Sequence, residues 1–377
     1  MSYLSSLSIL CVGDIHIQTS NIRQIQEFLI KLEQTIRTKT IDIIILMGDI
    51  LHTHERLHST ALNYANLLFK MVSLMKPTYV LVGNHDLQNN SQYLSTNHWM
   101  NCFKSYENLT IIDDVTIVNI NDIKLTMCPY VPDGKFKLAL ETKKGKWEDS
   151  NCIFAHQLFD GAKMGAIVAE GVEKWDDELP LVVSGHIHDK QRIQQNLYYT
   201  GSSMQHAFGE SYDKTILLLT LDKKSNVVST HMDEIDLLLP KKKMLYTDID
   251  DIESFDVSKL DDNTEYKLSI DGNYDEFQAF KKTSKHKELI KKGMKIVFKH
   301  KRSFIIDKKE QLKERVANGK MNGGDKPNIS SKSFTDILRE LVSNEKNKLL
   351  DDLLHTIVFN QTNDESDDII IMDGDEE

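Results

Sequence analysis

From Leu7 to Leu221 the chain alternates short apolar runs with longer stretches of mixed polarity. LSILCV, IDIIILMG, PTYVLVG, LTIID, IKLTMCP, NCIFAH, LPLVVSG and TILLLTL are rich in Ile, Val and Leu and show little polar alternation. Runs of that kind predict strands buried on both faces. Between them, NIRQIQEFLIKLEQTIRT and STALNYANLLFKMVSLM carry apolar residues at helical spacing, which predicts helices with one buried stripe. The alternation predicts a layered α/β domain over residues 1–235.

The pattern then changes. EYKLSIDG, YDEFQAFKKTSKHKELIKKG and MKIVFKH predict strand, helix, strand, a small α+β domain over 240–305. Residues 306–332 include ANGKMNGGDKPNISS, which has the Gly, Asn, Pro and Ser of a linker. Residues 333–360 return to apolar spacings of three and four and predict helices, with Ser333 as cap and a break at SNEKNK. The acidic residues 361–377 predict a disordered tail.

A chain of 377 residues is too long for one ordinary core. Its 40% apolar and 27% charged content is that of a soluble protein, with the choice of cytoplasm or nucleus left open. No apolar run is long enough to span a bilayer. LSILCVG lacks a basic flank and reads as a first strand, not a signal peptide. Cys11, Cys102, Cys128 and Cys152 form no C-x-x-C pair and read as buried, reduced thiols of an intracellular protein. The net charge of −11 excludes an evenly basic surface, but Lys281 to Arg302 sets ten Lys or Arg against Glu288 alone. That span is either a solvated helix face or a surface for nucleic-acid phosphates. Phe277 and Phe280 beside it read as core residues.

The chemistry gathers where apolar runs stop. GDIH offers Asp14 and His16, GDILH offers Asp49 and His52, and GNHD offers Asn84, His85 and Asp86. Further on, AHQ brings His156 and GHIH brings His186 and His188. Each piece alone has an ordinary explanation as a turn, a helix cap or a surface histidine, with Gly83 supplying the positive φ of a bend. Together, each at a strand end, they point to one crevice beyond the strand C-termini. Carboxylate, imidazole and amide donors without a thiolate suit two divalent cations, with Asp49 able to bridge them.

The set GDIH, GDILH, GNHD, His156 and GHIH resembles the motifs of calcineurin-like metallophosphoesterases. The resemblance implies a four-layer core, a two-sheet β-sandwich flanked by helices. It implies that Asp14, His16 and His188 hold one ion, that Asn84, His156 and His186 hold the other, and that Asp49 bridges. It also implies a water attacking phosphorus and His85 as the acid for the leaving oxygen, oriented by Asp86. GDILHTHER lacks the Asp-Arg that follows this motif in the protein phosphatases of the superfamily. With CPYVPDGKF, HQLFDGAKMG and YYTGSSMQHAFGE, it is similar to the SbcD-type and phage-type DNA repair exonuclease subunits. Their pattern implies that His52 sits near the phosphate, that the Tyr198, Gly201 and Ser202 loop walls the site, and that Mn²⁺ is the metal, ahead of Fe²⁺, Zn²⁺ or Mg²⁺. It further implies DNA as substrate, a capping domain at 240–305, and docking of 333–359 on an SbcC-type SMC-like ATPase, with a homodimer also open and no membrane partner. The rivals are a phosphoprotein or small-molecule phosphatase and a non-catalytic assembly subunit.

Overall fold

Alternation within the first strand decides the layering. The computed structural model describes residues 4–300 except 55, 144, 145 and 226. The predicted linker, the helices at 333–360 and the acidic tail lie outside the described residues, as do Lys301 and Arg302 of the basic span. Leu4–Val12 (β1) sends Leu7, Ile9 and Cys11 to one face and Leu10 and Val12 to the other. Both sides are apolar, so both must be covered.

In chain order the further core strands are Ile43–Leu46 (β2), Thr78–Leu81 (β3), Leu109–Ile112 (β4), Thr116–Ile120 (β5), Ile123–Cys128 (β6) and Cys152–His156 (β7). A small hairpin pairs Lys163–Met164 (β8) with Ile167–Val168 (β9). Then come Val182–Gly185 (β10), Gln191–Gln194 (β11), Leu197–Tyr199 (β12), Ile216–Lys224 (β13) and Val227–Ile235 (β14). They form two six-stranded mixed sheets, in the orders β14-β13-β1-β2-β3-β4 and β11-β12-β10-β7-β6-β5.

The sheets face each other across an apolar layer. Leu7, Ile9, Cys11 and Ile45 meet Leu125, Met127, Phe154 and Val183 there. The outer face of the first sheet is covered by Ile22–Thr38 (α1) and Ser59–Met75 (α2), which bury Ile25, Phe28, Leu32, Leu68 and Phe69. The outer face of the second is covered more thinly. One five-residue helix, Phe136–Leu140 (α3), and loops carrying Trp147 and Trp175 do that work. The core is thus the four-layer sandwich that the resemblance implies, with its fourth layer mostly loop. Cys11, Cys128 and Cys152 are buried within it, but Cys102 is exposed.

Residues 241–300 build a third, parallel sheet from Lys241–Asp248 (β15), Thr264–Gly272 (β16) and Lys295–His300 (β17). The sequence pattern missed β15, whose lysines mask its strand character. The single helix expected between β16 and β17 is two, Tyr274–Phe280 (α4) and Ser284–Lys291 (α5). The division falls at Thr283, whose hydroxyl accepts from the His286 N–H and caps α5. Phe277 and Phe280 pack in this sheet's own core. No helix among the described residues is long and apolar enough to cross a membrane.

The burial of α1 sets a test. Phe28→Ala removes a fully buried ring and should cost about 3–5 kcal/mol in denaturant unfolding. Ile30→Ala, two residues on and mostly exposed, should stay within about 0.5 kcal/mol of wild type.

Candidate metal centre

β1, β2 and β3 run parallel, as do β7 and β10, so each sheet points its strand ends one way. Past those ends lie Asp14 and His16, Asp49, Asn84 to Asp86, His156, and His186 and His188. The turns that present them are strained. His16, Asp49 and His186 adopt φ of 48°, 50° and 80°, where a side chain other than glycine is disfavoured. Gly83 does not supply the bend expected of it, because its φ is −85°. What it supplies is room. A Cβ there would lie 2.2 Å from Asp49 Oδ1 and 2.3 Å from Asp49 N.

Two groups of donor atoms converge. In the first, His16 Nε2 lies 3.1 Å from His188 Nε2, and Asp14 Oδ2 lies 3.9 Å from that same nitrogen. In the second, Asn84 Oδ1 is 3.0 Å from both His156 Nε2 and His186 Nδ1. Asp49 stands between them. Its Oδ2 is 3.6 Å from His16 Nε2 and its Oδ1 is 3.3 Å from His156 Nε2. Asp14, His16, Asp49, Asn84 and His156 are all buried.

The protonation of this cluster fits a cation. Burial holds His16 well below the usual imidazole range, and the His206 and His188 rings add to the effect against the pull of Asp49. Burial, with His156 nearby, pushes His186 down to about 3. Both rings therefore offer lone pairs. Burial would raise Asp49, but His156, His16 and His85 outweigh it and keep the carboxyl well below its usual range. His156 shows the converse. Burial opposes its charge, yet Asp49 and Asp14 raise it to about 9. A proton on His156 balances the carboxylates, and a divalent cation would balance them better. Its Nδ1 sits 2.7 Å from the Met47 carbonyl, which leaves Nε2 as the donor to a metal.

His85 lies beside this cluster. Its backbone N–H donates to Asp49 Oδ1 at 2.9 Å, and its ring Nδ1 lies 2.7 Å from the His52 carbonyl. The Nδ1–H therefore donates to that oxygen, which leaves Nε2 for chemistry. His52 is in the cluster too, with Nδ1 3.4 Å from His16 Nδ1. Asp86 is not what the sequence suggested. Its carboxylate accepts from the N–H groups of Gly83 and Ile50 and from Trp99 Nε1, at 3.0–3.1 Å, and does not touch the His85 ring. Residues 84–86 form one tight 3₁₀ turn, in which neighbouring side chains diverge. Tyr198 also departs from expectation. Its ring packs between the sheets and its hydroxyl bonds Glu234, while Ser202 N–H holds the His188 carbonyl at 3.0 Å.

Sequence reading passed over a supporting layer. Glu210 Oε1 lies 3.3 Å from His188 Nδ1, and its other oxygen accepts from His206 N–H and pairs with Lys214. Burial raises Glu210, but His188 and Lys214 overcome that and bring it to about 2. The His206 ring packs edge to face on His16 and His188, with centroids 4.9 and 5.1 Å away. Glu210 ends the Phe-Gly-Glu element, which was its signal. His206 sits mid-loop and gave none.

The calcineurin-like phosphoesterase family model matches residues 7–190, which span all of these strand ends. A protein of Invertebrate iridescent virus 3, provisionally named phosphoesterase 078R, is 39% identical over 341 residues, 90% of this chain and 92% of that one. The chain belongs to the calcineurin-like phosphoesterases. A second relative, provisionally named phosphoesterase 244L, of Invertebrate iridescent virus 6, is 45% identical over 281 residues, 74% of this chain and 99% of that one. Among solved structures, GAP50, the anchor in the inner membrane complex of Plasmodium, aligns with a TM-score of 0.35 at 14% identity, over 61% of this chain and 89% of that one. That likeness is too loose to carry weight.

Membership of this family implies divalent metal ions, and three groups, Asp14 with His16 and His188, Asp49 with His156 and His186, and His16 with His52 and His85, could hold them. Glu210 gives a pH test on the metal-free protein. Its pKa falls on folding, so its contribution to stability is complete above the ordinary 4.5 and fades as pH drops toward about 2. Glu210→Gln should therefore be less stable than wild type at neutral pH. The gap in denaturation midpoint should close across that acid window.

Proposed function

We propose that this phosphoesterase hydrolyses phosphodiesters with two metal ions and acts on DNA as a nuclease subunit of SbcD type. The observation that carries the two-metal part is Asp49, whose two oxygens each face a different donor group. Asp14, His16 and His188 would hold one cation, Asn84, His156 and His186 the other, and Asp49 both. Mixed oxygen and nitrogen donors without thiolate suit manganese, iron or zinc, and the likeness to SbcD-type subunits puts manganese first among them. Cations held there would supply positive charge for the phosphoryl oxygens and would lower the pKa of a water.

The remaining steps fall to the chain itself. His85 delivers a proton from Nε2 to the leaving oxygen, while the His52 carbonyl holds its Nδ1–H. Asp86 clamps the backbone of the turn that carries it and is itself held by the Trp99 indole N–H.

Two features support DNA as the substrate. His52 follows the second motif where the phosphatases carry Asp-Arg. The described part of the basic span also keeps excess positive charge on its surface. Lys285, Lys292 and Lys295 pair with Glu288, Asp262 and Glu265, whereas Lys281, Lys282, Lys287, Lys291 and Lys299 are exposed and pair with no acid among the described residues. Exposed lysines without acid partners suit contact with phosphates irrespective of sequence. In the same reading, residues 333–359 dock on an SbcC-type ATPase.

Purified protein with Mn²⁺ should release nucleotides from linear DNA. Asp49→Asn and His85→Ala should each lower the rate about 10²-fold or more. Ready cleavage of p-nitrophenyl phosphate with DNA left intact, even beside the ATPase, would overturn the nuclease assignment and leave a phosphomonoesterase.

A further inference from the structure

His52-Thr53-His54 puts a second histidine two residues past the one discussed above, and no step so far uses it. The His54 ring lies 4.6 Å from the His85 ring, centroid to centroid, with only 19° between their planes. Its Nδ1 is 3.3 Å from the carbonyl of Leu87, two residues beyond His85. The His52 ring is also nearly parallel to His85, at 5.5 Å and 14°. His16 meets His85 edge-on, at 4.8 Å and 89°.

These contacts answer a mechanical need. One hydrogen bond, from Nδ1–H to the His52 carbonyl, fixes a single point of the His85 ring. It does not fix the plane, because χ2 of histidine is a broad torsion. A proton donor must aim its N–H at the leaving oxygen, and a small misplacement of a reacting group costs rate steeply. A parallel ring against the face removes that freedom. His54 is well suited to the task because its own anchor, the Leu87 carbonyl, belongs to the same turn as His85. The wall and the acid are thus held to one another locally.

We propose that His54 is a positioning residue, a parallel aromatic wall that fixes the plane of His85 for protonation of the leaving group. The inference rests on the reading of His85 as the general acid. The test compares diphenyl phosphate, whose phenolate leaves poorly without a proton, with bis(p-nitrophenyl) phosphate, whose p-nitrophenolate leaves readily. Mn²⁺-loaded full-length protein is used throughout, with bound metal and melting temperature checked for every variant.

His54→Ala should lower kcat on diphenyl phosphate about tenfold, lower it distinctly less on bis(p-nitrophenyl) phosphate, and leave KM in place. His54→Phe keeps the stack without the hydrogen bond and should recover most of the loss. His54→Gln keeps a hydrogen-bonding group without the stack and should not. An equal loss on both esters, wild-type kcat in His54→Ala, or rescue by Gln and not by Phe would each overturn the proposal. His85→Ala is read in parallel. If it shows the strong leaving-group dependence and His54→Ala does not, the wall fails and the acid stands. If it shows none, the acid assignment itself has failed.

Discussion

Everything at this site is arranged around the Asp49 carboxylate. It is buried, it sits on a backbone with φ of 50°, and its two oxygens belong to two donor groups. A carboxylate in so dry a place is costly unless positive charge or N–H groups surround it. The strand ends meet that requirement together. β7 brings His156, β1 brings His16, and the turn after β3 brings the His85 N–H. The loops must approach closely to do so, and the contact between Gly83 and Asp49 leaves no space for a side chain. The left-handed turns at His16, Asp49 and His186 are the strain that this convergence accepts, held in place by the sandwich beneath.

Asp86 plays the complementary part. It is as buried as Asp49 but makes no ligand contact. Its oxygens gather the N–H groups of Gly83 and Ile50 with the Trp99 indole, and so bind the turn after β3 to the turn after β2. Burial, with Asp49 nearby, raises it to about 7. That cost is borne because losing the carboxylate would leave several buried donors unsatisfied, at about 1–3 kcal/mol each. Of the two aspartates, one holds charge and the other holds geometry.

The difference between them explains what was legible in the sequence. Strands made of apolar runs announce themselves, and β1, β2, β3, β4, β6, β7, β10 and β13 all stand where such runs predicted them. The short or half-exposed strands β5, β11, β12 and β14 gave weaker patterns, and β15 hides behind Lys241, Lys242 and Lys243. The residues that converge at the strand ends were legible for a related reason: each is a polar residue at the end of an apolar run, where ordinary strands have no need of one. Contacts across the fold were not legible. Adjacency in His85-Asp86 suggested a pair, but a 3₁₀ turn separates consecutive side chains. The real neighbours of His85 come from residues 16, 49, 52 and 54. Glu210 and His206 arrive from a loop past the last strand-end motif, so no local periodicity could mark them.

That loop also joins the centre to the third sheet. His206 and Glu210 face the metal centre, while Phe208 between them lies under Lys267 and Lys295 of β16 and β17. Lys242 of β15 donates to the His206 carbonyl, and its backbone N–H donates to Gln205. Side chains of one short loop therefore alternate between two duties. Glu210 can hold His188 only if the loop keeps its path. That path is set partly by lysines more than thirty residues further along the chain. The third sheet is thus tied to the site, because the loop that holds Glu210 against His188 also packs on its lysines.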